Sequence, residues 1–257
     1  MKKLLTFAVV ATLALGTFTA QAQNKFRGIV KYEATGSLAS KLPEEYRTGE
    51  LKVMDGKLYA NQSTAFLFTQ NQFAKCIIVD ERTVTMCYDF SPILNFLATQ
   101  DVTLPSYSGD GRIIGKNTAS QQDVDSLTIP VTEGYYLEYV AGESKKIAGQ
   151  TAKLCRIHRF DESGDDTPLD VWYCDEMGPQ NNFMFMGIAG IPLEFALTFG
   201  DNTLEIRTVE VKSSKVKDVD FLMPDGYKAL SEEEMKTFFE ELGEELKYLQ
   251  GDEDDED

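Results

Sequence analysis

The sequence predicts a mainly β, antiparallel domain that carries two amphipathic helices. Three observations lead to this prediction. Apolar and polar residues alternate along most of the chain, Asp55-Gly56 lies between two alternating runs, and helical apolar spacing follows Ser91 and Ser231. The 257 residues are 42% hydrophobic and 11% aromatic, which is enough to bury a sizeable core.

The first half of the domain contains several strand signals. Residues 26–33 alternate as a half-buried strand does. Asp55-Gly56 predicts a tight hairpin turn, because glycine tolerates the positive φ that such a turn needs. Residues 64–69 and 73–80 are predicted to be further strands.

The second half continues the β pattern after a less regular segment. Residues 101–133 predict a long loop or insertion with one short strand at 111–116. Residues 195–199 and the run after Asn202 predict a hairpin. The apolar parity changes near Arg207-Thr208, which predicts a bulge or a strong bend.

Two segments predict helices. Ser91-Pro92 is a helix-start signal, and the apolar residues after it have helical spacing. Ser231 and Glu234 form a predicted capping box before an amphipathic helix over residues 231–250, whose apolar stripe we expect to pack on its own domain. The acidic tail at 251–257 is predicted to be disordered.

The N-terminal residues predict export. Lys2 and Lys3 precede a short apolar run that ends in Ala20-Gln21-Ala22, so residues 1–22 resemble a secretory signal that is cleaved after Ala22. No later segment is long and apolar enough to span a membrane. We therefore expect a mature β domain at 23–230, followed by the helix and tail, in the periplasm or outside the cell.

The charge of the chain limits its partners. The formal net charge is −17, so the chain as a whole is expected to repel nucleic acid and anionic membranes. Much of this charge lies in the predicted helix and in the tail.

Four cysteines in an exported chain favour disulfides over zinc. Cys76 and Cys87 flank a predicted turn, and this register places Ile77 opposite Met86 and Val79 opposite Val84. Placing Cys155 opposite Cys174 pairs Ile157 with Trp172, Arg159 with Asp170 and Phe160 with Leu169. Two cross-strand disulfides are the preferred interpretation; a redox or metal site and pairing between the hairpins are the alternatives.

The sequence contains no motif for catalysis or for a cofactor. His158 is the single histidine, and the register above places it on a strand opposite Val171. A loop with Asp161, Glu162, Asp165 and Asp166 does not match calcium-binding spacing. We therefore predict a protein that is not an enzyme and that holds no metal or cofactor.

The most distinctive apolar stretch covers residues 181–197. Its Phe and Met residues do not alternate, so both faces of the segment are expected to meet apolar surroundings. A core strand is the ordinary explanation, and an adaptable ligand surface is the functional one. The candidate hydrophobic cavity residues are Phe96, Leu97, Phe183, Phe185, Met186 and Ile188.

Five segments also resemble a known family. FRGIVKYEATG, KKIAGQTAKLC, DVWYC, GIPLEFAL and DVDFLMPDGYK occur in the order seen in a group of secreted Bacteroidetes proteins of unknown function, similar in fold to the periplasmic lipoprotein carrier LolA. The resemblance covers roughly Phe26 to Lys228. It implies an open, strongly curved antiparallel β half-barrel with helices across its concave face.

The resemblance also suggests a function. LolA-like concavities hold acyl chains, so the leading hypothesis is non-enzymatic binding of a lipid or a lipoprotein acyl chain. The alternative is a cell-envelope protein-interaction module that uses the acidic C-terminal helix and tail.

Overall fold

A computed structural model describes residues 26–80, 82–161, 163–178 and 187–250. The described strands are β1 (Arg27–Thr35), β2 (Thr48–Met54), β3 (Lys57–Asn61), β4 (Ala74–Asp80), β5 (Thr83–Asp89), β6 (Arg112–Thr118), β7 (Tyr135–Ile147), β8 (Gln150–Arg159), β9 (Leu169–Cys174), β10 (Ile191–Phe199), β11 (Asn202–Ser213) and β12 (Lys228–Ala229). The α-helices are α1 (Gln62–Thr69), α2 (Ser91–Thr99), α3 (Gln121–Ser126) and α4 (Glu232–Gln250). Short 3-10 helices cover Ala39–Lys41, Glu44–Tyr46 and Asp218–Phe221.

The strands form one open, curled sheet in the order β12-β6-β5-β4-β3-β2-β1-β11-β10-β9-β8-β7. Neighbouring strands are antiparallel except β12, which runs parallel to β6. Most neighbours in the sheet are also neighbours in sequence, because short turns favour hairpin pairing. The predicted open, mainly β architecture is confirmed.

The predicted turn at Asp55-Gly56 and the predicted bulge near Arg207-Thr208 are both confirmed. The β2–β3 hairpin turns at Asp55 and Gly56, whose φ values are 50° and 88°. In the β1–β11 pair, Tyr32 faces Thr208 while Lys31 faces Glu210, so Val209 is the extra residue of a bulge. This bulge lies beside the predicted Arg207-Thr208 position.

The predicted strand at 64–69 is wrong, because this segment belongs to α1. The Asn61 side chain accepts a hydrogen bond from the Thr64 backbone N–H at 3.0 Å and caps the helix. Gln70 ends the helix with a left-handed φ of 55°. Ala65, Leu67 and Phe68 are buried. The apolar run is therefore explained by a helix that contacts the protein on more than one side.

The remaining elements follow the predicted boundaries closely. The predicted strand at 73–80 corresponds to β4 (Ala74–Asp80), and α2 begins at the predicted Ser91. Residues 101–133 contain β6, which matches the expected short strand, and also the unforeseen α3. The capping box is present: Ser231 N–H donates to Glu234 at 2.7 Å, and Glu234 N–H donates to the Ser231 hydroxyl at 3.2 Å.

Glycines mark where helices cross the inner, core-bearing face of the sheet. A Cβ atom on Gly49 would lie 2.7 Å from Thr64 Oγ1, so α1 approaches β2 there as closely as the backbone allows. A Cβ atom on Gly115 would lie 2.7 Å from the end of Met235, which places α4 over β6. Gly115 faces Met86, and Met86 faces Ile77 of the main core, so both helices cover the same face.

The core has two parts on this inner face. In the main part, Phe68 of α1 contacts the rings of Tyr32 and Phe195, with centroids 5.1 and 5.9 Å away. Helix α1 therefore fills the middle of the curled sheet. The second part joins α2, α4 and β6, and its fully buried members include Leu97, Ile113 and Phe238. The apolar stripe of α4 packs on its own domain, as expected.

Candidate functional site

The predicted cavity residues that belong to the described part of the chain lie in different parts of the fold. Leu97 is 1% exposed within the second part of the core, and Ile188 is 1% exposed within the main part. Phe96 is 53% exposed on α2. Phe183, Phe185 and Met186 lie outside the described residues, so the prediction of one cavity lined by all six stays a prediction.

A hydrophobic groove instead lies between α1 and α4, over the cluster that contains Leu97; we call it the inner groove. Its volume is about 550 Å³. Its lining combines the end of α1 and the loop into β4, the start of α2 and the middle of α4: Phe66, Gln70, Asn71, Gln72, Phe73, Phe90, Ile93, Phe239, Leu242, Gly243 and Leu246. Among the described residues, only side chains without charge line it, so it suits an apolar ligand.

Local structure explains why apolar side chains remain accessible in this groove. The Asn71 side chain accepts from the Phe73 N–H at 2.9 Å, and this turn holds Phe73 against Phe90 with 4.8 Å between ring centroids. On α4, Phe238 is 1% exposed whereas Phe239 is 42% exposed. Successive residues of a helix point about 100° apart, so one ring enters the core while the next borders the groove.

Sequence reasoning missed Phe66, Phe73, Phe239 and Leu246 as site residues. The helical stripe of α4 correctly placed Phe239 and Leu246 on an apolar face, but that pattern does not distinguish core from groove. Phe66 was assigned to a strand that is in fact α1. The groove assembles only in the tertiary structure.

Cys76 and Cys87 occupy the predicted cross-strand register. They face each other, with Ile77 opposite Met86 and Val79 opposite Val84. Both thiols are free in the structure, are buried, and lie beneath Tyr59 and Tyr227. The hydrogen bond to Cys87, followed by burial, raises the pKa of Cys76 above the usual range of a thiol, whereas the hydrogen bond with Cys76 lowers the pKa of Cys87. Cys87 is therefore the thiol of this pair that ionises more readily and can react.

The predicted register of the second cysteine pair is wrong. Cys155 faces Val171, Arg156 faces Asp170 and Ile157 faces Leu169. Cys174 instead faces Ile191 of β10, so no direct cross-strand disulfide joins it to Cys155. Burial raises the pKa of Cys155 to about 12, which keeps this thiol protonated and unreactive.

The two pairs are therefore expected to behave differently on oxidation. Export into an oxidising compartment should join Cys76 to Cys87, which would add about 2–3 kcal/mol of stability. Cys155 and Cys174 should stay reduced. Non-reducing peptide mapping checks both statements, and a Cys155–Cys174 peptide would contradict this register.

His158 lies between two carboxylates. Its Nδ1 is 2.6 Å from Asp166 Oδ2 and its Nε2 is 2.9 Å from Glu138 Oε2. The ring stacks on Tyr136 with 4.5 Å between centroids. It does not face Val171, since the predicted register was three residues out. The hydrogen bond to Glu138, and then that to Asp166, raises the pKa of His158 above 6.5 against an opposing desolvation effect.

The position of His158 between Glu138 and Asp166 predicts a contribution to stability that depends on pH. The pKa of His158 is raised on folding, so its contribution is complete below the unfolded value near 6.5 and is lost as pH rises through the folded value. His158→Phe keeps the stacking but removes the charge. Relative to wild type, we expect it to lose about 0.5–1 kcal/mol more stability at about pH 6 than at about pH 8.5. Urea unfolding at both pH values measures this difference, and an equal loss at both would contradict it.

Two carboxylates of the acidic loop after β8, those of Asp161 and Asp166, have partners within the chain. Asp161 Oδ1 accepts hydrogen bonds from the N–H groups of Ser163 and Asp165 at 2.9 and 3.0 Å, and Asp166 holds His158. Glu162 lies outside the described residues. Across the described ranges, no cluster of three or more His, Cys, Asp or Glu side chains could hold a metal ion.

A second hollow, on the outer face of the sheet, has a mixed lining that includes several charged side chains. It measures about 760 Å³ and includes Trp172, Glu194 and Arg207. Glu194 forms ion pairs with Lys145 and with Arg207, the latter at 3.2 Å. Lys145 also covers the Trp172 ring at 4.2 Å from its centroid. The charges and the indole face are thus largely occupied within the chain.

Comparisons with known proteins give fold likenesses at low identity. No family model and no curated protein matches the chain. A structure of PNGF-II matches at 11% identity and a TM-score of 0.45, covering 84% of this chain and 33% of that one. MucB in the Pseudomonas aeruginosa MucA/MucB complex matches at 11% and 0.30, covering 78% of this chain and 56% of that one. This chain thus spans a third and about half of their respective lengths.

A LolA superfamily protein from Nitrosomonas europaea also matches. Its identity is 11% and its TM-score 0.26, with 79% of this chain and 91% of that chain covered. Membership of the Bacteroidetes group stays a prediction. Among the described helices, none combines the length and the apolar character needed to cross a bilayer.

Proposed function

We propose that this protein is an exported, non-enzymatic binding protein that holds a hydrophobic ligand, such as a lipid acyl chain, in the inner groove. The observation that supports the proposal is the uncharged lining of that groove, with aromatic side chains contributed by α1, α2 and α4. Carboxylates or lysines, which would oppose an acyl chain, are absent from its described lining.

The size of the groove is consistent with this class of ligand. Small-molecule sites measure about 300–1,000 Å³ and are lined mainly by apolar and aromatic residues, and the inner groove of about 550 Å³ falls within that range. Its floor, formed by Phe90 and Leu242, is buried, while Phe239 on its wall is 42% exposed. A ligand here would remove exposed aromatic surface from water.

Gly243 permits a direct test of the groove. It lines the groove from α4, and an added Cβ atom there would meet no heavy atom within 4 Å. Gly243→Trp should therefore fill the groove with the fold intact. Gly243→Ala is the matched control, because it adds a single methyl group and favours the helix.

The test uses a fluorescent fatty acid as the probe. We expect saturable uptake by wild type and by Gly243→Ala, and at least tenfold weaker uptake by Gly243→Trp, since a filled site excludes the chain. Mass spectrometry of an organic extract of the native protein should show bound lipid. No uptake by wild type, or equal uptake by Gly243→Trp with unchanged unfolding, would refute the proposal.

A protein partner is the second candidate, and the exposed face of α4 favours it. Glu233, Glu240 and Glu244 are exposed there, and Tyr248 is 78% exposed. Replacing these three glutamates by glutamine should abolish capture of such a partner and leave probe uptake unchanged. Deleting residues 231–257 would not test this alternative, because α4 covers Leu97 and Ile113 of the core.

A further inference from the structure

Three large apolar side chains are exposed together on the outer face of the sheet. Val219, Leu222 and Met223 are 64%, 65% and 42% exposed, and they lie on the 3-10 helix Asp218–Phe221 and directly after it. Single exposed apolar residues are ordinary, whereas a group concentrated in one turn indicates an interaction surface.

This turn is firmly anchored, so the exposure is a property of its folded shape. Val216 and Phe221 are buried against Met54. Asp220 accepts a hydrogen bond from the Lys217 N–H at 2.8 Å and forms an ion pair with Lys52 at 2.8 Å. Val216 and Phe221 are held inward and the Asp220 carboxylate is fixed, so Val219 between them and Leu222 and Met223 directly after them are exposed to solvent.

Three lysines precede the exposed apolar residues in the chain, and Lys212 lies opposite Ile29, which packs against the cluster that contains Phe221 of the same turn. Lys212, Lys215 and Lys217 are exposed, and none of them forms an ion pair with another described residue. Of the nearby acids, Asp55 pairs with Arg27 and Asp220 with Lys52. Asp218 and Asp225 are exposed and form no ion pair within the described part of the chain, so the three lysines outnumber them by one. We call Val219, Leu222 and Met223 with these three lysines the outer patch.

The outer patch lies on the opposite side of the sheet from the acidic helix. The turn that carries it packs on Ile29 through the cluster of Val216 and Phe221, and Ile29 alternates with the inward-facing Val30 on β1. Helix α4 crosses the inner face at Gly115. The sheet thus separates a cationic, apolar surface from the glutamate-rich one.

We propose that the outer patch docks on an anionic phospholipid bilayer surface, with Val219, Leu222 and Met223 entering the headgroup boundary and the three lysines facing lipid phosphates. Lysines around exposed apolar side chains complement such a surface in both charge and polarity. The net charge of −17 predicts repulsion for the chain as a whole. Physiological salt screens the electric field of this net charge within about 8–10 Å. The charges that lie nearest the bilayer therefore decide whether the protein is attracted or repelled.

Vesicle co-sedimentation tests this docking. Wild type should bind vesicles of equal phosphatidylglycerol and phosphatidylcholine, and should bind pure phosphatidylcholine at least tenfold more weakly. Lys215→Glu/Lys217→Glu should weaken binding to the anionic vesicles by about 25-fold or more, since each lysine contributes about fivefold. Val219→Ser/Leu222→Ser should weaken it about tenfold, because apolar burial is lost.

Matched control variants alter exposed residues elsewhere. Ile129→Ser changes a side chain that is 59% exposed, and Lys236→Glu changes a lysine that is 76% exposed on α4. Both should bind the anionic vesicles as wild type does. The inference is overturned if wild type does not prefer anionic vesicles, if the patch variants bind like wild type, or if the controls lose as much binding.

Docking does not depend on the inner groove, and the two proposals fail separately. Gly243→Trp should bind vesicles normally while losing the fluorescent fatty acid. The outer patch variants should lose vesicle binding and keep uptake of the free probe.

Discussion

Replacing Phe238 by alanine is expected to lower the free energy of unfolding by about 3–5 kcal/mol. Phe238 is 1% exposed, and its ring contacts those of Phe90 and Tyr107 at centroid distances of 5.3 and 4.9 Å. The change removes a buried aromatic ring and leaves a cavity between α4 and the sheet. Urea unfolding followed by circular dichroism measures the loss.

The same change tests whether α4 is part of the folded core or an appendage to the domain. If α4 were an appendage, Phe238→Ala would have a small effect on the domain. Tyr248→Ala is the control, because Tyr248 on the same helix is 78% exposed and its loss should change stability by less than about 0.5 kcal/mol. Equal effects of the two variants would show that α4 does not cover the core in solution.

Phe238 also links stability to the proposed site. Its neighbour Phe239 borders the inner groove, and Leu242, one turn further along, forms part of the floor. Loosening α4 would move one wall of the groove away from Phe66 and Phe73. Probe uptake by Phe238→Ala should therefore fall together with stability, whereas Gly243→Trp separates the two.

The sequence was informative wherever one local rule decided the outcome. Alternation and the Asp55-Gly56 turn located β1, β2 and β3, and the Ser231–Glu234 pair located the start of α4. The Cys76–Cys87 register was also correct, since its tight turn leaves little freedom. In each case the preference of a few adjacent residues agrees with the fold.

The errors arose where tertiary packing decided between local alternatives. Residues 65–68 are a continuous apolar run, so their pattern fits an enclosed strand or an enclosed helix, and the cap from Asn61 was the signal that favoured the helix. The long loop between β8 and β9 permits several registers. The structure selects the one in which Arg156, rather than Arg159, pairs with Asp170 at 2.7 Å.

The inner groove could not be predicted for a related reason. Its aromatic walls come from residues as distant in sequence as Phe66 and Phe239, and no spacing within one element brings them together. Both Phe96 and Leu97 of α2 were candidate cavity residues from the sequence. In the structure Leu97 takes the buried position, and Phe96 is left more than half exposed.

Gly49→Val is the second change expected to have a large effect, with a loss of about 2–3 kcal/mol from overpacking. The first added carbon would lie 2.7 Å from Thr64 Oγ1 and 3.2 Å from Thr64 Cα. The Thr64 hydroxyl donates to the Glu50 carbonyl at 2.9 Å, so it cannot rotate away without losing this bond. Helix α1 would have to move off β2 and out of the middle of the sheet.

Thr48→Val provides the comparison for this position. Thr48 is the neighbouring residue on β2, is exposed, and tolerates a branched side chain in a strand. It should unfold at nearly the same urea concentration as wild type. If Gly49→Val also unfolded at the urea concentration of wild type, α1 could not be packed on β2 as closely as the structure shows. The position of Phe66 on α1, and with it one wall of the inner groove, would then not be fixed.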